Sequence, residues 1–207
     1  MELILVRHAL PLRVQTADGS PADPPLSELG HRQAAAMADW LRGETIDAVH
    51  VSPLRRARDT AAPLEAVLGL AAIVTEGVSE FDSRSSAYVP MEELKATDYQ
   101  RWKRFVRGED TGLEDPVEFQ LTVVATVEGI AAANPGRRVV VVCHGGVING
   151  YAAHVVGRPA GDFLFFDPAY ASISRFLAAG TGERSVMSLN ERGHLRGLPT
   201  TGRTDGA

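Results

Sequence analysis

Apolar positions along the chain fall into two kinds of run, and the continuous kind is the rarer. Leu3, Ile4, Leu5 and Val6 form one such run, and Val139 to Cys143, inside RVVVVCH (138–144), form the other. Runs this short cannot span a membrane, and they lack the alternation of a one-sided strand. Each therefore predicts a strand buried on both faces, as in a parallel sheet. The first run stops on Arg7 and His8, the second on His144. Side chains at the carboxyl ends of such strands sit where open parallel sheets collect their chemistry.

Between the two runs the spacing is mostly helical. Residues 9–25 show no periodicity and are rich in Pro, Gly, Asp and Ala, so they predict a loop bordering that sheet edge. A helix is expected from Ser27, with Leu29, Gln33, Met37, Trp40 and Leu41 on its buried side and Gly43 ending it. Asp47 to Val51 predicts a strand that runs directly into a second helix. In that helix Ser52 suits the N-cap, Pro53 the first position, and Leu54, Ala57, Ala61, Leu64 and Leu68 the buried stripe. Leu70 to Thr75 is a weaker strand candidate, and an irregular stretch begins at Glu80.

Further along, Pro90 to Val106 predicts a helix interrupted around Ala96 to Asp98. It carries Lys95, Arg101, Lys103, Arg104 and, just beyond, Arg107, which suit either a solvated face or a basic wall of a pocket. Asp115, Pro116 and Glu118 make a helix start, and Val117, Leu121, Val124 and Ala131 form the expected stripe, with Glu128 as an exception. After His144, Gly145 and Gly146 suit a tight turn or a close ligand approach before a helix from Val147 to Val156 that Gly157 stops. Ala171 to Leu177 and Arg184 to Leu189 predict neighbouring strands. The organisation expected is one domain over 1–198, with a segment of about 81–115 bordering the site and a mobile tail at 199–207.

Composition narrows the class of partner. A net charge of −5 over 207 residues offers no general basic face for nucleic acid, although a local cluster can still hold a small anion. The chain enters its first strand without a basic, apolar leader, which predicts a cytoplasmic protein with no membrane association. One cysteine, Cys143, cannot form an internal disulfide; inside an apolar run it suits a buried, inert thiol.

The strand ends collect Arg7, His8, Arg56 in the first turn after Ser52, and His144 before Gly145. Guanidinium forks match phosphate oxygens, and a helix N-terminus adds N–H donors. A carboxylate or sulfate would fit the same donors. A histidine among them is also a competent nitrogen nucleophile, which favours phosphoryl transfer.

In this light four segments, in order, resemble the motifs of the histidine phosphatase superfamily: LVRHAL, SPLRRARDTA, the region of Glu80, and VVCHGGV. PPLSELGHRQA, ASISRF and LNERGHL extend the resemblance over most of the chain. It implies a three-layer α/β/α sandwich with a mostly parallel sheet, as in phosphoglycerate mutase-like proteins. It also implies that His8 accepts the phosphoryl group as a phosphohistidine that water hydrolyses. Arg7, Arg56 and His144 would clamp the phosphoryl oxygens, Gly145 would let the ligand approach, and Glu80 would serve as proton donor and later activate water. Arg56 rather than Arg55 is chosen because it directly precedes Ala57. Arg84 is a candidate for a second anionic contact. No metal and no cofactor is implied, the partner is a small phosphorylated substrate, and a homodimer is an open alternative.

The chain departs from its relatives just after the first motif. Ala9 stands where glycine is usual, and Leu10, Pro11, Leu12, Arg13 and Val14 replace the polar residues and Trp-Asn step of the mutase and fructose-bisphosphatase-like branches. The interval from Glu80 to His144 is also short for a cofactor-dependent phosphoglycerate mutase. A phosphatase is therefore expected ahead of a mutase. The competing expectations are a zinc site of His8, His144 and Glu80, which Arg7 and Arg56 would oppose, a phospholigand-binding module without catalysis, and a phosphoprotein phosphatase. Leu10, Leu12, Tyr88 and Tyr99 suit either packing or an apolar part of the substrate.

Overall fold

The computed structural model describes residues 1–106 and 115–199. Arg107 and the tail beyond Pro199 lie outside the described residues. The elements, in chain order, are β1 (Glu2–Arg7), β2 (Val14–Gln15), α1 (Glu28–Leu41), β3 (Ala48–Val51), α2 (Arg55–Leu68), β4 (Ile73–Val74), β5 (Ala87–Tyr88), α3 (Met91–Thr97), α4 (Tyr99–Val106), α5 (Pro116–Ala133), β6 (Arg138–Cys143), α6 (Gly145–Val155), β7 (Ile173–Ala178) and β8 (Arg184–Glu191). Six strands form one sheet in the order β4-β3-β6-β1-β7-β8. β4, β3, β6 and β1 run parallel, whereas β7 is antiparallel to both β1 and β8.

Alternation along β1 explains the layers. Ile4 and Val6 pack with Val140 and Val142 against α1 and α2, through Met37, Leu41, Ala61 and Leu64. Leu3 and Leu5 pack with Val139 and Val141 on the opposite face, against Phe119, Val123 and Val127 of α5 and Val147 and Ile148 of α6. Every one of these strand residues is fully buried. A strand with two core faces has no position for a polar residue until it leaves the sheet, which is why Arg7 and His8 come last. Three layers, helix on sheet on helix, result.

Several expected elements are adjusted. The helix after β3 begins at Arg55, with Leu54 as its cap, so Ser52 is two residues outside the cap position. Its hydroxyl instead meets the Leu54 amide at 3.3 Å and the ring of His144. α6 begins at Gly145, so the two glycines form its first turn and do not precede it. Only Ile73–Val74 of the weak strand pairs, as an edge strand, and both side chains are exposed. The loop after β1 contains β2, which pairs antiparallel with β5 and thereby ties residues 9–25 to the segment after Glu80.

The buried side of α5 differs from the spacing over most of its length: Ala131 is buried as expected, but Val117 and Leu121 are exposed, and Phe119, Gln120, Val123, Val127 and Ile130 are buried. This helix is apolar on nearly every side, so periodicity alone does not choose its inner face; packing against α6 does. Glu128 stays at the margin, where Arg184 and the Tyr151 hydroxyl bond its carboxylate. On α1, Trp40 is exposed rather than buried. Pro199 is anchored, its carbonyl accepting from the Gln33 amide at 3.1 Å. No helix among the described residues is long and apolar enough to cross a membrane.

Candidate active site

The carboxyl ends of β1, β3 and β6 lie side by side, because β6 pairs with both of the others in parallel register. Three chain segments therefore leave the sheet at one edge: Arg7–His8, Ser52 to Arg56, and His144–Gly145. Their side chains are almost wholly buried. Arg7 is 6% exposed, His8 2%, Arg56 1% and His144 0%. Arg55, next to Arg56, points to solvent, its side chain 60% exposed. Buried cations persist only with partners, and each guanidinium has one. Arg7 donates to the Pro168 carbonyl and lies 3.9 Å above the Tyr170 ring. Arg56 bonds Asp82 at 3.1 Å and lies 4.8 Å above Tyr88.

His8 is held in one tautomer. Its Nδ1 is 2.8 Å from the carbonyl oxygen of Ala9, an acceptor only, so Nδ1 carries the proton and Nε2 keeps its lone pair. Burial first, then the charges of Arg56 and Arg7, hold the imidazole well below the usual histidine range. It is neutral at physiological pH, as a nitrogen nucleophile must be. The ring of His144 lies 5.1 Å away, centroid to centroid, and that of Tyr170 5.6 Å away. His144 stays neutral for the same reasons, burial foremost. Its Nε2 is 2.8 Å from the Ser52 hydroxyl, while its Nδ1 and the Nε of Arg56 have no partner among the described residues.

Glu80 enters from the irregular segment before β5 and is held by the start of α6. Its Oε2 accepts the Gly146 amide at 3.0 Å, and its Oε1 accepts the Phe81 amide. Gly146 leaves the room for this contact: a Cβ there would overlap Glu80 Oε1 and the Phe81 ring and force them to move. Burial, and next the charge of neighbouring Asp82, raise the Glu80 carboxyl to about 7. It can thus give or take a proton near neutrality. Asp82 is also raised, by burial, against the opposing pull of Arg56.

Arg7, His8, Arg56, Glu80 and Gly145 line a common cavity of about 370 Å³, and His144 lies behind its wall. Arg84 does not line it and is exposed. From the described part of the basic segment only Lys95 reaches the lining, with Trp102 beside it. Of the four apolar candidates Tyr88 lines the cavity; Leu10 is buried away from it, and Leu12 and Tyr99 are exposed. Sequence spacing does not single out Asp82, Ser52, Tyr170 or Asn149 for the site. Asp82, two residues after Glu80, was within reach of a search for paired carboxylates; no local pattern marks Tyr170 or Asn149. Among the described residues no group of three or more His, Cys, Asp or Glu is arranged to hold a metal ion. Cys143 is fully buried and burial pushes its thiol up, which leaves it unreactive.

With this geometry established, the chain can be compared with known proteins. The sequence profile of the histidine phosphatase superfamily, branch 1, matches residues 3–191. The chain belongs to that superfamily. It is 28% identical over 206 residues to phosphoserine phosphatase 1 of Hydrogenobacter thermophilus, covering 94% of each. Over 200 residues it is 30% identical to the bifunctional protein Rv2228c of Mycobacterium tuberculosis, covering 93% of this chain but only 54%, about half, of that longer protein. Yersinia relatives among the matches are called probable phosphoglycerate mutases, 25% identical over 169 residues. A mycobacterial glucosyl-3-phosphoglycerate phosphatase solved with VO3 superposes with a TM-score of 0.75 at 25% identity, over 91% of this chain and 98% of that one.

Proposed function

We propose that the protein is a phosphomonoester hydrolase that works through a phosphohistidine on His8 and needs no metal. The observation that carries this is the His8 ring: the Ala9 carbonyl fixes its proton on Nδ1, leaving a neutral Nε2 among Arg7, Arg56 and Glu80 in one cavity. In the first step Nε2 attacks phosphorus and the ester P–O bond breaks. Glu80, protonated up to about pH 7, passes its proton to the departing alcohol oxygen. In the second step the Glu80 carboxylate takes a proton from water, the water oxygen attacks phosphorus, and the P–N bond breaks to release phosphate. Arg7 and Arg56 balance charge on the phosphoryl oxygens throughout, and the neutral His144 ring, 5.1 Å from that of His8, backs the site with an Nδ1 that has no partner among the described residues. The phosphatase names among its relatives support the same chemistry.

A panel of phosphomonoesters tested on the wild type and on His8→Ala examines the reading. Turnover is expected in the wild type and its loss in the variant, with acid-labile phosphate trapped on the wild-type protein only. Turnover that survives His8→Ala would remove the nucleophile assignment. Efficient interconversion of 3- and 2-phosphoglycerate that requires a bisphosphoglycerate would favour a mutase.

A further inference from the structure

Beyond the phosphate end, the cavity is walled by Phe81, Val89, Met91, Trp102, Leu164 and Phe166. These walls are braced. Phe81 packs edge-on against Phe119, with centroids 5.5 Å apart, and Trp102 stacks on Tyr99 at 5.4 Å. Phe166 is fixed by Asn149, the one side-chain amide in the lining among the described residues. Its Nδ2 donates to the carbonyls of Gly145 and Phe166, each at 3.0 Å, and its Oδ1 accepts the amides of Phe165 and Phe166 at 3.1 and 3.2 Å. Two donors and two lone pairs are the full capacity of an amide, so Asn149 has nothing left for a ligand hydroxyl.

Most of the charged groups are similarly occupied, and the exception, Asp167, is 3.9 Å from Arg7 with its side chain exposed at the mouth. Arg7 and Arg56 belong to the phosphate end, and Lys95 holds its amine 4.5 Å above the Trp102 ring at the exposed rim. Asp82 is bonded to Arg56. A sugar or polyol would find Asp167 at the mouth, but hydroxyls buried against Phe81, Met91, Trp102 and Phe166 would be left unpaired, at a cost of about 1–3 kcal/mol for each buried group. Among the described lining residues beyond the phosphate end, a second phosphate would meet Lys95 as its one cation. A flat apolar group meets aromatic and aliphatic surface on several sides.

We propose that the alcohol portion of the substrate is flat and apolar, an aryl or arylalkyl group lodged between Phe81, Met91, Trp102 and Phe166. This rests on the phosphatase reading. It makes Trp102 and Met91 specificity residues, contributed by α4 and α3 from the segment between Glu80 and α5.

The test separates contact from leaving-group acidity by using esters of ordinary alcohols only: 2-naphthylmethyl phosphate, glycerol 3-phosphate and glucose 6-phosphate. For the wild type, kcat/KM is expected to be about 10- to 100-fold higher for the naphthylmethyl ester than for either polar ester. Trp102→Ala is expected to lower that preference about 10-fold, and Met91→Gln, at a half-buried position that leaves the core intact, by a smaller factor in the same direction. Circular dichroism melts confirm that both variants fold. Equal or reversed preference in the wild type, or a preference unmoved by both variants, would overturn the substrate class while leaving the phosphatase reading in place. Absence of turnover with every ester would overturn both.

Discussion

The Gly146 amide donates to Glu80 Oε2 at 3.0 Å, and the same glycine leaves the space that the other carboxylate oxygen occupies. The acid is thus located by the first turn of α6, the helix that begins where β6 delivers His144. Gly146→Ala is expected to push Glu80 away while leaving His8 and both arginines in place. For an ordinary alkyl phosphate kcat should fall about 100-fold, the lower end of what a positioned proton donor contributes. For p-nitrophenyl phosphate, whose leaving group departs without protonation, the loss should be much smaller. Overpacking is expected to lower stability by about 1–3 kcal/mol, read from the melt. Equal losses on both substrates would mean that the glycine matters for folding and not for proton transfer.

The pH dependence follows from the Glu80–Asp82 pair. Only protonated Glu80 can assist the first step, so kcat/KM for an alkyl phosphate is expected to fall as pH rises through about 7. The Asp82 charge makes ionisation of Glu80 harder. Asp82→Asn removes that charge and frees Arg56 to stabilise the carboxylate, and both changes let Glu80 ionise at lower pH. The alkaline limb should therefore move to lower pH in the variant. A limb that stays put or moves upward would exclude Glu80 as the donor.

Ligand binding gives a check that does not depend on turnover. Inorganic phosphate at about 100 times its Kd should add ~2.7 kcal/mol of stability by mass action. Arg56→Ala should abolish most of that gain, since Arg56 is buried with its Nε unpartnered among the described residues. Activity is expected to persist in a strong chelator and to be inhibited by vanadate. Chelator-sensitive activity that zinc restores would point instead to the metal site that Arg7 and Arg56 oppose.

How much the sequence discloses depends on how local the determinant is. β1 and β6 are readable because burial on both faces leaves an unbroken apolar run, and the polar residue that ends the run marks the sheet edge. Arg56 is distinguishable from Arg55 only through its place before Ala57 in a recognisable motif, and its burial agrees. The inner face of α5 is not readable, since Val117 and Leu121 are as apolar as Val123 and Val127; the packing of α6 makes the choice. Ser52 looked like a helix cap because Ser-Pro before an apolar stripe usually is one, but β3 ends beside β6 and the hydroxyl meets His144. The aromatic walls come from segments around residues 81, 102 and 166, joined only by tertiary contact, and no spacing rule links them.

The Ser52–His144 contact yields a last prediction. Ser52 accepts the Leu54 amide, so its own proton is available to donate to His144 Nε2, which places the imidazole proton on Nδ1. That tautomer offers an N–H donor, whereas the other presents a lone pair to an anion. Ser52→Ala removes the donor that selects between them. The variant is expected to lose about 10-fold in kcat/KM, equivalent to ~1.4 kcal/mol, and to show a mixed His144 tautomer by 15N NMR. Ser52→Thr, which keeps the hydroxyl, should restore both. A Ser52→Ala protein with an unchanged tautomer and unchanged kinetics would show that backbone placement alone orients His144.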